Sequence, residues 1–262
     1  MTLDLGLNGK HVLITGGSHG IGLAAALAFA AEGGHVAICA RGMQRLDEAR
    51  TRILATGGRC LAIAADVMVP DDCDRVVDTV LDEWGSVDVL VNNAGGGGRW
   101  GSDDILATPE RVWGEVYDKN VNAAVRFTLR VLPSMMRKQW GRVITVSSVH
   151  GKQAGGRPWF NIAKCAETVL MKNLSMKPEF TRCGVTFNSI APGCIMIPDT
   201  GWHQEKLADP ERFARMVEME FPLGRLGTPE EVADVIVYVS SQRASLVNGA
   251  SIVVDGGECR VF

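Results

Sequence analysis

The sequence predicts a doubly wound α/β fold: a single domain built on a parallel sheet of seven strands, with helices on both faces. Short β-branched runs alternate with longer stretches of helical spacing along the whole chain, which implies repeated strand–helix–strand units. The strand runs are apolar almost without interruption, as expected of strands buried on both faces. No linker or change of composition divides the 262 residues, and one large core accommodates that length.

The first strand, His11–Thr15, runs into Gly16-Gly17-Ser18-His19-Gly20-Ile21-Gly22, and the alanine-rich helix Ile21–Ala31 follows. Glycines at a strand-to-helix turn let the backbone approach a pyrophosphate, and the helix N-terminus favours its charge. The spacing is Gly-x-x-x-Gly-x-Gly, not the Gly-x-Gly-x-x-Gly of the common dinucleotide fingerprint. Its placement still marks a Rossmann-like cofactor end that uses Gly16, Ser18, His19, Gly20, Ile21 and Gly22. The second strand, His35–Ala40, ends at Arg41 with no carboxylate. An acidic residue there would accept from a ribose 2′-hydroxyl and select NAD, whereas arginine accommodates a 2′-phosphate. NADP is therefore expected over NAD, with His19 as a further donor.

Helix Met43–Ala55 leads to strand Cys60–Ala65 and then to Asp66-Val67. Helix Pro70–Trp84 leads to strand Val87–Val91 and then to Asn92-Asn93-Ala94-Gly95. Both segments lie at carboxyl ends of strands, where open α/β sheets bind ligands. The remaining elements are helix Pro109–Lys138, strand Arg142–Ser147, helix Trp159–Lys177, strand Val185–Ile190, helix Pro229–Ser241 and strand Ser251–Val254. The stretch from Gly193 to Leu226 (193–226) lacks clear periodicity and is expected to be a substrate-covering insertion.

Each of these motifs is weak alone, but their order and spacing are specific. With Asn120, Ser148, Lys164, Pro192-Gly193 and Val254-Asp255-Gly256-Gly257, the chain resembles the short-chain dehydrogenase/reductase family over nearly its full length. The resemblance implies an NADP-dependent oxidoreductase that interconverts an alcohol and a ketone by hydride transfer. It also implies that Asn93, Ala94, Gly95, Lys164, Pro192, Gly193 and Ile195 contact the cofactor. In the family a serine orients the substrate oxygen and a tyrosine transfers the proton. A lysine lowers the tyrosine pKa while binding the nicotinamide ribose, and an asparagine holds a relay water. These roles fall on Ser148, position 160, Lys164 and Asn120.

Position 160 departs from that pattern, because it is Phe160. Residues 160 and 164 lie one above the other on a helix, so the spacing suits a tyrosine–lysine pair, yet a benzyl ring donates no proton. Three readings stand: an engineered Tyr→Phe substitution, a natural variant in which another group such as His150 supplies the proton, and a natural loss of catalysis. The last would leave an inactive nucleotide-binding regulatory or structural protein. A second departure is Ile197, where the family often has a threonine whose hydroxyl bonds the nicotinamide carboxamide.

The substrate pocket is expected from the Gly95–Trp100 turn, the Gly151–Trp159 segment and the loop after Pro192. Those segments carry Arg99, Trp100, Lys152, Gln153, Arg157, Trp159, Trp202 and His203; with Ser148 and His150, residues Arg157, Trp159 and Trp202 are the candidate substrate contacts. The cations suit an anionic small-molecule carbonyl or alcohol. A formal charge of −3 provides no basic field for nucleic acid, and the apolar runs fall short of the ~20 residues a membrane span requires. The N-terminal decapeptide has no secretory pattern. Seven scattered cysteines without a Cys-x-x-Cys pair argue against disulfides or a metal site and for a cytoplasmic setting. Val169, Leu170, Met171 and Leu174 extend beyond one helical stripe, and the resemblance implies a homotetramer or homodimer, with the apolar end of Glu258–Phe262 docking on a neighbour.

Overall fold

The computed structural model describes residues 4–261. Met1, Thr2 and Leu3 of the N-terminal decapeptide and Phe262 of the expected docking tail lie outside the described residues. Seven parallel strands form one sheet: β1 (His11–Thr15), β2 (His35–Ala40), β3 (Cys60–Ala64), β4 (Val89–Asn92), β5 (Gly141–Val146), β6 (Val185–Pro192) and β7 (Ser251–Val254). Their spatial order is β3-β2-β1-β4-β5-β6-β7. The helices are α1 (Gly20–Ala31), α2 (Met43–Leu54), α3 (Pro70–Trp84), α4 (Glu110–Tyr117), α5 (Ala123–Lys138), α6 (Pro158–Ser175), α7 (Pro178–Thr181), α8 (Gly201–Ala208), α9 (Pro210–Glu220) and α10 (Pro229–Val239).

Alternate residues of each strand feed two cores. Val12, Ile14, Val36 and Ile38 pack with Phe29 of α1, Ile53 of α2 and Ile236 of α10. Leu13, Ala37 and Leu90 pack on the opposite face with Val77 of α3, Phe127 of α5 and Met171 of α6. Burial on both faces explains the unbroken apolar strands, and each large side chain removed from water contributes about 1.5–3 kcal/mol of transfer free energy. Met171 is therefore a core residue and not part of a docking face. No helix among the described residues is long and apolar enough to cross a membrane.

Local chemistry sets the helix ends. Pro70 opens α3 with Asp71 and Asp72 in its first turn, and Gly85 closes it in the left-handed region at φ 76°. Thr228 and Glu231 form a capping box at the start of α10. Strand β4 starts two residues later than expected because the Val87 N–H donates to Ser134 Oγ of α5 rather than to the sheet. The helix expected over Pro109–Lys138 is interrupted by a π turn at Asp118–Asn122. There the Asn120 carboxamide donates to the Val116 carbonyl at 2.7 Å, inserting a side chain into the helical ladder. The stretch 193–226 also differs from expectation, since it contains α8 and α9. Phe213, Val217, Phe221 and Leu226 form a small core of their own, so this part of the chain is structured.

The sheet order changes direction between β1 and β4, where strands with crossovers on opposite faces part and leave a crevice. Asn93 closes its floor, donating through Nδ2 to the carbonyls of Thr15 at 2.9 Å and Gly16 at 3.1 Å. Thr15 Oγ1 accepts in return from the N–H groups of Asn93 and Ala94, at 3.0 and 2.9 Å. Gly22 sits on this staple: a Cβ there would lie 2.4 Å from both Asn93 Nδ2 and Gly16 O. Gly22→Ala is expected to lower stability by about 1–3 kcal/mol through overpacking and to loosen the glycine turn. Urea unfolding together with dinucleotide titration checks both effects; a variant as stable as the parent would refute the close approach.

Candidate active site

Two cavities meet at the carboxyl ends of the strands. The first is a crevice of about 880 Å³ that runs from the glycine turn (His19, Gly20, Ile21) past Gly95, Ser148, Phe160 and Lys164 to Pro192, Gly193 and Ile195. A side pocket of about 230 Å³ continues it toward β2 and β3, between Gly16, Arg41, Asp66, Val67 and Ala94. The second cavity, about 620 Å³, adjoins the first and includes His150, Arg157, Trp159 and Cys194. Ser148, Phe160, Gly193 and Trp202 border both large cavities, so position 160 stands where they join.

The cofactor candidates are thus brought together, with two exceptions. Ser18 borders none of these cavities, and Gly22 lies buried under the turn, where it serves packing. Gly16 and Gly20 have φ of 66° and 55°, a conformation that favours glycine, and a Cβ on Gly16 would press on the Ala94 backbone. The turn is therefore a backbone cradle open to a phosphate. Arg41 forms only a long pair with Asp66, at 3.9 Å, and remains largely exposed.

Lys119 was not legible as a site residue. It borders the crevice and the side pocket, with Nζ 4.7 Å from the Trp100 ring centre and no carboxylate within ion-pair distance among the described residues. Burial, followed by the Arg41 charge, pushes its ammonium pKa down. A lysine next to Asn120 in the sequence was the available signal. Thr200 also borders the crevice, and its Oγ1 donates to the Ile197 carbonyl at 2.7 Å. Ile197 itself packs on Gly20, lying 3.1 Å from where a Cβ would stand.

Asn120 is fully buried and spans a gap: Oδ1 accepts from Gly96 N at 3.0 Å, and Nδ2 donates to Gly96 O at 2.8 Å. Its side chain therefore locks the loop after β4 and does not itself face either cavity. Lys164 is buried on α6, with Nζ donating to Val146 O at 3.0 Å and to Glu167 Oε2 at 2.9 Å. Burial pushes the Glu167 carboxyl up, while the ammonium pulls it back. The Lys164 Nζ stands 5.7 Å from the centre of the Phe160 ring. His150 packs edge-on against that ring at 6.2 Å, and its Nδ1 is buried without a partner. Burial lowers the His150 pKa, which leaves the imidazole neutral near pH 7 and poorly suited to replace a phenol as acid.

The cations expected to meet an anionic substrate are engaged by neighbouring groups. Arg157 donates to the carbonyls of Trp100 and Gly101 at 2.6 and 2.7 Å and pairs with Asp103 at 2.5 Å. Arg99 pairs with Glu205 at 2.7 Å. Lys152 donates to Ser251 O, Gln153 accepts from Arg260 N, and His203 accepts from Asp199 N, so none of the three is directed into the pocket. The cations are already neutralised or used elsewhere. Trp159 is only 2% exposed and stacked edge-on with Trp113 at 5.3 Å, and it borders the second cavity as part of its wall. Trp202 does face the cavities, with the Arg99 guanidinium 5.4 Å from its ring centre.

A glycine cradle at the sheet's switch point, leading to a serine and a buried lysine, defines a dinucleotide-dependent dehydrogenase architecture. Residues 16–258 match the family described as enoyl-(acyl carrier protein) reductase, and the chain belongs to the short-chain dehydrogenase/reductase family. It is 34% identical over 256 residues to 3-oxoacyl-acyl-carrier-protein reductase of Vibrio cholerae, covering 97% of this chain and 98% of that one. It is 35% identical over 260 residues to L-rhamnose 1-dehydrogenase (NAD(P)(+)) of Azotobacter vinelandii, covering 95% and 96%. The structure superposes on that of L-sorbose reductase from Gluconobacter frateurii, solved with NADPH and L-sorbose, with a TM-score of 0.90, 32% identity and coverage of 99% and 100%.

His11, His19 and His150 all have pKa values below the ordinary 6.5, in each case chiefly through burial. The unfolded chain then binds more protons than the folded one as pH falls below 6.5. Stability is expected to be complete above that value and to decline on acidification. Urea midpoints at about pH 7.5 and 5.5 check this, with a smaller decline in His150→Gln; equal midpoints for the parent would contradict the buried neutral imidazoles.

Proposed function

We propose that the chain is an NADP-preferring oxidoreductase that interconverts an alcohol and a ketone, and that Phe160 removes the proton donor from an otherwise assembled site. The observation carrying this reading is the shared border of the two large cavities at Ser148 and Phe160. The glycine cradle and Lys164 would hold a dinucleotide, which would supply or accept hydride at that junction. Ser148 Oγ, which here accepts from the His150 N–H at 3.2 Å, is placed to orient a substrate oxygen. Asn120 holds the Gly95–Gly96 backbone that frames the crevice. The segment 193–226 covers the substrate side through Gly193, Cys194 and Trp202.

With its arginines paired, the pocket suits a neutral polar carbonyl compound, bounded by Ser148, the free His150 Nδ1 and the Trp202 ring. The similarity to a sorbose reductase and a rhamnose dehydrogenase supports a polyhydroxylated substrate. Phe160→Tyr is expected to raise carbonyl reduction with NADPH by roughly 10²-fold or more, the usual scale of general-acid catalysis. A panel of neutral ketoses and anionic keto acids measures it, with the neutral compounds turned over faster. NADPH binding without turnover in either form, across a broad panel, would favour the non-catalytic nucleotide-binding reading.

The cofactor preference rests on Arg41 and Lys119, two cations beside the adenosine pocket with no full counter-charge. Arg41→Ala should weaken NADPH binding about tenfold, the loss of a single charge-assisted hydrogen bond, and leave NADH almost unchanged. Calorimetric titration of both dinucleotides decides; equal losses would place Arg41 away from the 2′-phosphate. We further infer a cytoplasmic dimer or tetramer. The seven free thiols and the exposed Leu129, Ile162 and Val169 of α5 and α6 support it.

A further inference from the structure

Lys164 and Glu167 form the most deeply buried ion pair among the described residues, with side chains 6% and 2% exposed. They lie three residues apart on α6, so both face the sheet from the same side of the helix. Two of the three ammonium hydrogens are committed inward, to Glu167 Oε2 and to Val146 O. Only one donor remains toward the crevice and position 160. The charged groups around the pair are few. Lys119 lies across the crevice, and the neutral His150 ring is on the far side of Phe160. Neither Lys164 nor Glu167 forms an ion pair with any other described residue.

We propose that Glu167 is a positioning residue that draws the Lys164 ammonium into α6 and cancels its charge at position 160. The inference rests on the reading above only in taking position 160 and Lys164 as parts of one site. A lysine can depress the pKa of a neighbouring phenol only as a net positive charge facing it. A carboxylate 2.9 Å behind the ammonium turns that charge into a dipole, whose field falls off much faster with distance. Phe160 and Glu167 are therefore two matched features of one helix: a ring with no proton to lose, beside a lysine with no free charge to assist the loss. Reinstating the phenol alone would yield a donor adequate for reduction but a poor base for oxidation at neutral pH.

The test is an ultraviolet difference titration of Phe160→Tyr against the parent chain, which cancels Tyr117 and Tyr238, without cofactor or substrate. The introduced phenol should ionise at or above the ordinary value of about 10. In Phe160→Tyr with Glu167→Gln, the exposed lysine charge should lower the midpoint by about one unit or more. The ascending limb of the pH profile for alcohol oxidation should move to lower pH by the same amount. A midpoint already well below about 10 in the single variant, or the same midpoint in both, would overturn the proposal. If the double variant fails to fold by circular dichroism, the single variant still decides. The titration requires no turnover, so its outcome is independent of whether Phe160→Tyr restores catalysis.

Discussion

The parting of β1 and β4 is the constraint on which the rest of the molecule depends. Parallel strands whose crossover helices lie on opposite faces cannot close over their carboxyl ends, and an open slot remains. In this chain Asn93 and Thr15 tie the two strand ends together with four hydrogen bonds between 2.9 and 3.1 Å. That staple sets the height of the glycine turn above the sheet. It thereby sets where a phosphate can rest and how far away a nicotinamide ring would reach. The π turn at Asn120 serves the same end from the other side, clamping Gly96 so that the loop after β4 keeps the slot open.

Charge within the slot is distributed unevenly. At the adenosine end Arg41 and Lys119 lack close counter-ions, which suits a polyanionic partner. In the second cavity Arg99 and Arg157 are both paired with carboxylates. Beneath the junction the Lys164–Glu167 pair is buried, and a buried pair recovers its desolvation cost only with good geometry and further hydrogen bonds. The Val146 carbonyl supplies one such bond. Under the proposed function, this gradient from open cations to matched pairs separates cofactor recognition from substrate recognition.

Much of this was legible in the linear chain. The seven strands and most helices follow from apolar runs and from helix-start signals such as Pro70, Pro158 and Thr228. Less visible were features produced by side chains that reach across the fold. Nothing in the order Val116–Asn120 announces that a carboxamide will take a helical carbonyl and break α4 from α5. The spacing Phe213, Val217, Phe221 does follow one helical face, but the short apolar stripe was masked by the surrounding charges. Arg157 reads as a free cation beside a pocket until Asp103 and two carbonyls are found around it.

By itself the sequence determined the doubly wound sheet, the glycine turn, the position of Ser148 and Lys164, and the missing hydroxyl at residue 160. These are local or periodic properties, and neighbouring residues suffice to specify them. Only the tertiary structure decided which charges remain free: Lys119 does, whereas Arg99, Arg157 and Lys164 do not. The reason is physical, because the energy of a charge depends on burial and on partners within a few ångströms, and those partners come mostly from segments distant in the chain.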